Sequence, residues 1–106
     1  MYFDELPLAD EVLDALWDMH FDECTPVQEH TIPVILEGRD VISCAQTGTG
    51  KPAAFILPLL TNLLYDDHDP NKLNAIIMAP TRELAQQIDQ QMEGFGFYVP
   101  FSSVAI

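Results

Sequence analysis

The sequence predicts an α/β domain organised around a parallel sheet, and three observations support this. Short apolar runs at 40–44 and 75–79 have the composition of strands, and the second is continuous enough for a parallel strand buried on both faces. A glycine-rich turn at 45–51 joins the first run to a helical pattern, which is the layout of a phosphate-binding loop. Strands and helices alternate along the chain, as they do in layered domains with right-handed crossovers.

The other elements follow from spacing and capping residues. Apolar residues recur at helical spacing from Asp10 to His20. Thr25 at the N-cap, Pro26 at N1 and Gln28 at N3 form a capping box, and the helix they begin is expected to bend at Pro33 and stop at Gly38. A third helix runs to about residue 65 with an interruption at Pro58, a loop follows at 66–71, Thr81 caps a helix ending near 94–96, and 101–106 is a third strand.

Length and composition indicate one small globular domain. The chain has 106 residues, is 48% hydrophobic, and contains no apolar run as long as a membrane span. Its first residues lack the features of a secretory signal, and Cys24 and Cys44 show no metal-ligand spacing, so we expect a cytoplasmic protein without a metal-binding cysteine site. Seventeen acidic residues against four basic ones give a net charge of −13, which by itself argues against nucleic-acid binding. Any contact with RNA would have to be local.

The glycine-rich turn is the strongest functional signal. It comprises Ala45, Gln46, Thr47, Gly48, Thr49, Gly50 and Lys51. Backbone N–H groups of such a loop, at a helix N-terminus, bind phosphate, and the lysine reaches the outer phosphates. Pro52 stands where a serine or threonine hydroxyl normally binds Mg²⁺, and proline also lacks the N–H. We therefore expect impaired handling of Mg²⁺ and ATP. The alternative is an ordinary turn before a helix.

Two further sets of residues have both a structural and a functional interpretation. Gln28 is explained by the capping box alone, and Phe3 and Phe21 by burial. In the functional alternative, an aromatic ring stacks on adenine and Gln28 pairs with the edge of the base. Pro80, Thr81 and Arg82 fit a capped helix start equally well as a contact with a nucleic-acid backbone.

Taken together, these motifs resemble those of the DEAD-box RNA helicases. Four elements occur in order along essentially the whole chain: Phe-Asp-Glu-Leu-Pro-Leu at 3–8, Phe21 with Thr-Pro-Val-Gln at 25–28, Ala-Gln-Thr-Gly-Thr-Gly-Lys at 45–51, and Pro-Thr-Arg-Glu-Leu-Ala at 80–85. The resemblance implies a three-layer, RecA-like P-loop NTPase fold, here incomplete. Residues 1–38 would be the glutamine-motif region, and 39–106 would hold the phosphate loop and the first RNA-contact motif of helicase domain 1.

The resemblance also implies residue roles. Gln28 would bond adenine, Phe21 would stack on it, Phe3 would back that stack and Thr25 would help place the motif. Residues 45–52 would hold the triphosphate of ATP, with Lys51 the catalytic residue of the set. Residues 80–82 would contact the RNA backbone. ATP binding would close a cleft between two RecA-like domains and separate an RNA duplex locally.

Several departures from the family pattern limit these expectations. His20 replaces a common glycine and Cys24 a common proline. The sequence ends before the Asp-Glu-Ala-Asp motif, the Ser-Ala-Thr motif and the second domain, so we expect no RNA unwinding and little ATP turnover from this chain alone. In RecA-like sheets, strands from later in the sequence lie beside the strand that precedes the phosphate loop. Because those strands are missing here, we expect unpaired strand edges and self-association. The alternative function is a non-catalytic interaction module that keeps the fold without using nucleotide.

Overall fold

Helices dominate the part of the chain that the structure describes. This computed structural model covers residues 2–43, 51–65 and 71–106, and the side chain of Lys51 lies outside the description. After a 3-10 turn at Phe3–Glu5, the helices are α1 (Asp10–Asp18), α2 (Pro26–Leu36), α3 (Lys51–Tyr65) and α4 (Arg82–Phe95). Each helix predicted from the sequence is present, and α1 ends at Asp18 rather than at His20.

Helix α3 lies at the centre of the core. Its residues are apolar almost all round, which is typical of a helix covered on every side. Ile56, Leu57 and Leu60 are at most 1% exposed, and Pro58 is also fully buried. Helix α2 packs on α3 most extensively, with α1 and α4 contributing smaller contacts. The prolines at 33 and 58 do not end their helices, since α2 and α3 continue through them.

Helices α1 and α2 end in the same way. After α2, the Gly38 N–H donates to the Ile35 carbonyl (2.9 Å) and the Arg39 N–H to the Val34 carbonyl (3.3 Å), with a φ of 78° at Gly38. After α1, His20 takes the equivalent place with a φ of 63°. This paired bonding is the Schellman motif, which needs a left-handed residue and favours glycine. The predicted stop of α2 at Gly38 is confirmed.

A buried threonine ties the segment before α1 to α3. Thr61 has no solvent exposure. Its hydroxyl donates to the Leu57 carbonyl at 3.0 Å and accepts from the Ala9 N–H at 3.2 Å. Ala9 is the N-cap residue of α1, so one hydroxyl joins the start of α1 to the central helix.

The parallel sheet is not formed by the described residues. Segments 40–43, 73–79 and 101–106 have no strand pairing there, and the isolated bridge in this part of the chain joins Tyr2 and Glu23. Burial of 75–79 on both faces is also wrong, because Ile76 is 74% and Met78 88% exposed. A strand is defined by hydrogen bonds to a neighbour, so apolar composition favours an extended segment but cannot supply its partner.

Candidate functional site: the start of α2 and its surroundings

Thr25 and Gln28 form the predicted capping box at the start of α2. The Thr25 N–H donates to Gln28 Oε1 at 2.9 Å, and the Gln28 N–H donates to Thr25 Oγ1 in a longer bond of 3.4 Å. Gln28 is only 5% exposed. The structural interpretation of Gln28 is therefore realised. The same bond fixes which end of the carboxamide faces the backbone.

The two candidate stacking residues have different environments. Phe3 is 3% exposed and belongs to the core, whereas Phe21 is 45% exposed. The Phe3 N–H donates to the Asp22 carbonyl at 3.0 Å, which holds the N-terminal turn beside the segment that carries Phe21. The ring of Phe21 lies 5.7 Å from that of Phe95, tilted by 49°. Phe21 thus remains partly exposed, whereas Phe3 is buried.

The aromatic residues and the capping box lie on the same stretch of chain but do not line one cavity. A cavity of about 600 Å³ borders both Phe3 and Phe21. Neither Thr25 nor Gln28 is among its lining residues. Phe3 and Phe21 therefore line one cavity. The contact of either residue with a bound base stays a prediction.

The phosphate-loop prediction falls mostly outside the described residues. This applies to Ala45, Gln46, Thr47, Gly48, Thr49 and Gly50, and to the side chain of Lys51. The helix expected after the loop is confirmed, since α3 begins at Lys51. Pro52 lies in its first turn, where a missing N–H costs no helical hydrogen bond. The fold accommodates Pro52, as expected.

Two polar residues of α3 that the sequence interpretation missed bond the end of α2 and the start of α1. Asn62 Nδ2 donates to the Ile35 carbonyl at 3.1 Å, near the end of α2. Thr61 holds the N-cap of α1. Adjacent polar residues in the otherwise apolar run 53–64 were the available signal, because buried polar groups are nearly always hydrogen-bonded.

The candidate RNA-contact residues lie at the start of α4. Thr81 is the N-cap, and its Oγ1 accepts the Leu84 N–H at 3.1 Å. Arg82 is the first helical residue and is exposed. With Pro80 they border a second cavity of about 730 Å³ whose other walls include apolar residues of 73–79 and 103–106. The Thr81 hydroxyl is therefore committed to the helix, while the Arg82 side chain faces solvent.

Among the described residues, no group of three or more His, Cys, Asp or Glu side chains could hold a metal ion. Burial raises the pKa of the Cys24 thiol, which keeps it protonated and a poor nucleophile. The ion pair between Arg39 and Glu37, 3.5 Å apart, is exposed on both sides and adds little stability. No described helix is both long and apolar enough to cross a bilayer.

Comparison with known proteins decides the family. The family model described as "DEAD/DEAH box helicase" matches residues 25–105, well over half of the chain. The chain belongs to this family. The matched range contains Gln28 and its capping partner, the loop at 45–51, and Pro80 to Arg82.

Individual members of the DEAD/DEAH box family agree with this. The chain is 51% identical over 96 residues to "ATP-dependent RNA helicase CshA" of Limosilactobacillus reuteri, covering 91% of this chain and 19% of the relative. It is 45% identical over 104 residues to "ATP-dependent rRNA helicase rrp3" of Schizosaccharomyces pombe, covering 98% of this chain and 22% of the relative. The chain thus spans about a fifth of the length of these curated relatives.

Solved structures show the same relationship in three dimensions. The RNA helicase Prp28 from Chaetomium thermophilum, bound to ADP, matches with a TM-score of 0.84 and 42% identity over 97% of this chain and 26% of the other. A DEAD box protein from Methanococcus jannaschii matches with a TM-score of 0.80 and 36% identity, over 90% and 25% of the two chains. The chain is the N-terminal part of a first RecA-like domain, although its described residues lack the sheet's hydrogen bonds.

Proposed function

We propose that this chain is the nucleotide-binding portion of an ATP-dependent RNA helicase that remodels RNA duplexes. Residues 1–38 would be the glutamine-motif region and 39–106 the phosphate-loop and first RNA-contact region. The observation that carries the proposal is the reciprocal pair between Thr25 and Gln28, which holds a buried carboxamide in one orientation within the matched family region. The two cysteines without metal-ligand spacing are consistent with a cytoplasmic location.

Adenine recognition would use both ends of the Gln28 carboxamide. Its Oε1 accepts from the Thr25 N–H and would also accept from the exocyclic amine of adenine. Its NH₂ group would donate to the adjacent ring nitrogen of the base. The exposed ring of Phe21 would stack on the base, with buried Phe3 supporting that ring from the core. Guanine presents a carbonyl oxygen where adenine presents an amine, so this arrangement selects adenine.

Phosphate binding would use the backbone of 45–51 and the positive end of α3. Lys51 begins α3, so its charge adds to that helix N-terminus. Pro52 does not fit a magnesium site, because proline has neither a hydroxyl for the cation nor an N–H for a phosphate oxygen. We therefore assign no role to a metal ion in this chain. We propose that Pro52 weakens nucleotide binding.

The effect of Pro52 can be measured by titrating ADP, with Mg²⁺, into this chain and its Pro52→Thr variant in a calorimeter. We expect the variant to bind at least about tenfold more tightly, since it regains a hydroxyl ligand and one N–H donor. Pro52→Ala is the matched control, because it restores the N–H alone and should recover only part of the affinity. Equal affinities for all three chains would refute the assignment of Pro52 as the defect.

RNA contact would be made by Pro80, Thr81 and Arg82 at the start of α4. The support is the exposed Arg82 beside a helix N-terminus, both of which attract phosphate. The expected effect of Arg82→Gln is uniformly weaker RNA binding across sequences and a smaller salt dependence. Arg39→Gln, which removes the same charge from another exposed site, should change neither. Equal effects would mean that only net charge matters.

A non-catalytic interaction module is the second candidate, and Pro52 is the observation that favours it. Such a module would keep the helical core and bind neither ADP nor GDP. The helicase proposal instead requires adenine selectivity even if this chain alone neither unwinds RNA nor turns over ATP. Selectivity between the two nucleotides therefore separates the candidates.

We also propose that copies of this chain associate through the unpaired apolar segments. Ile76, Met78 and Val104 are each at least 74% exposed, and 73–79 and 103–106 border the same cavity. Exposed apolar strand-like segments are templates for pairing with another chain, although a net charge of −13 opposes close approach. Light scattering at rising salt should show dimers or larger species. A single monomeric species throughout would contradict this.

A further inference from the structure

A groove on α1 combines exposed aromatic rings with carboxylates that form no ion pair among the described residues. Its volume is about 600 Å³, and it lies between the 3-10 turn, α1 and the segment that follows α1. Six of its lining residues carry the argument: Tyr2, Asp4, Asp14, Trp17, Phe21 and Asp22. Thr25 and Gln28 do not line it, whereas Phe3 and Phe21, the aromatic residues of the proposed adenine site, do.

The aromatic part of the groove is unusually exposed. Trp17, the one tryptophan of the chain, is 76% exposed, and Tyr2 is 53% exposed. On the same helix Val12 and Leu16 are at most 2% exposed, so α1 is firmly packed while its largest apolar side chain faces solvent. Exposed aromatic clusters of this kind mark interaction surfaces, because their burial by a partner releases water from a large apolar area.

The charged part of the groove has one sign. Asp4, Asp14 and Asp22 are exposed carboxylates at its edge, and the described lining residues include no Lys, Arg or His. The ion pair found in the described part of the chain, between Arg39 and Glu37, involves none of them. Positive charge on a ligand is therefore favoured in this groove, and nucleic acid is disfavoured.

A guanidinium group matches both features. It stacks its flat face on an indole or phenol ring, and its N–H groups pair with carboxylates in a fork geometry. A lysine ammonium has the charge but neither the plane nor the fork. We propose that this groove binds an arginine-bearing basic segment of a partner protein, with an arginine side chain over Trp17 and its guanidinium bonded to Asp14 or Asp22.

Trp17 supplies the readout, because the chain contains no other tryptophan. A ten-residue peptide of alternating Arg and Gly is titrated while tryptophan emission is followed, beside matched peptides with Lys or with citrulline in place of Arg. We expect saturable quenching by the Arg peptide, severalfold weaker binding of the Lys peptide, and no binding of the uncharged citrulline peptide. Added salt should weaken the Arg complex.

Charge-neutral variants separate this groove from the general attraction of an acidic chain. Asp14→Asn and Asp22→Asn should each weaken Arg-peptide binding about fivefold. Glu83→Gln removes the same charge from an exposed residue that does not line the groove, and it should leave the affinity unchanged. Equal loss in the Glu83 and Asp14 variants would overturn the proposal. So would equal binding of the Arg and citrulline peptides to the unmodified chain, a result that does not depend on any variant folding.

Discussion

Replacing His20 by glycine should stabilise the fold, because His20 closes α1 with a left-handed φ of 63°. The N–H of Phe21 donates to the Leu16 carbonyl at 2.9 Å and that of His20 to the Trp17 carbonyl at 3.1 Å, so the Schellman bonds hold His20 in this conformation. The His20 side chain is exposed, and none of the hydrogen bonds found among the described residues involves its imidazole. Glycine would therefore lose little by replacing it.

The magnitude follows from two opposing costs. A left-handed conformation costs an L-residue roughly 1–2 kcal/mol, which glycine avoids. Glycine in turn lowers the stability by roughly 0.5–1 kcal/mol, because it has more conformational freedom to lose from the unfolded chain. We expect the free energy of unfolding to rise by about 1 kcal/mol, or the melting temperature to rise by about 4–8 °C in a domain of this size.

Urea unfolding followed by circular dichroism measures this directly, and Gly38→Ala is the reciprocal control. Gly38 has a φ of 78°, and an added Cβ would meet no atom within 4 Å, so backbone strain alone should lower stability by about 1 kcal/mol. The reasoning is refuted if Gly38→Ala is destabilising as expected while His20→Gly is neutral or destabilising.

Three further perturbations test other contacts by similar measurements. Thr61→Val leaves the Ala9 N–H buried without its 3.2 Å partner and should cost about 1–3 kcal/mol in urea unfolding, whereas Thr61→Ser keeps the hydroxyl and should cost less. Thr81→Ala removes the N-cap of α4 and should cost about 1 kcal/mol, with Thr81→Ser close to neutral if the cap is the cause. The hydrogen bond to Asp18 raises the pKa of Tyr98 above its ordinary value. The stability that this hydrogen bond adds is therefore complete below the ordinary pKa of tyrosine, and it is lost as the pH rises through the raised pKa of Tyr98. Asp18→Asn should return the alkaline ultraviolet titration of Tyr98 toward the ordinary value, and an unchanged titration would contradict this.

Local chemistry is what made the helices predictable from the sequence. Thr25 and Thr81 begin helices because a hydroxyl satisfies an N–H that the first turn leaves free, and Gly38 ends one because it tolerates positive φ. These causes act within a few residues. His20 is the opposite case. The sequence has a histidine where the family pattern commonly has glycine, but only the backbone angle shows that this residue closes α1.

The sheet and the buried polar ties could not be predicted in the same way, because both depend on residues far apart in the chain. Apolar runs predict extended segments, yet pairing depends on what neighbouring backbone is available. Thr61 contacts Ala9, 52 residues away, and nothing in the helical spacing around Thr61 identifies that partner. For the candidate site, the capping box was predictable and is confirmed, while the relation of Gln28 to Phe21 across a bound base stays a prediction.

The most direct test of the account is the ratio of ADP to GDP affinity in the Pro52→Thr chain and in its Gln28→Glu derivative. Glutamate can still accept from the Thr25 N–H and complete the capping box, but it has no NH₂ group to donate to adenine. We predict a preference for ADP of more than about tenfold, and loss of that preference in the derivative while the helix content is retained. Equal affinity for the two nucleotides, or an unchanged preference with glutamate at residue 28, would contradict the proposed adenine site.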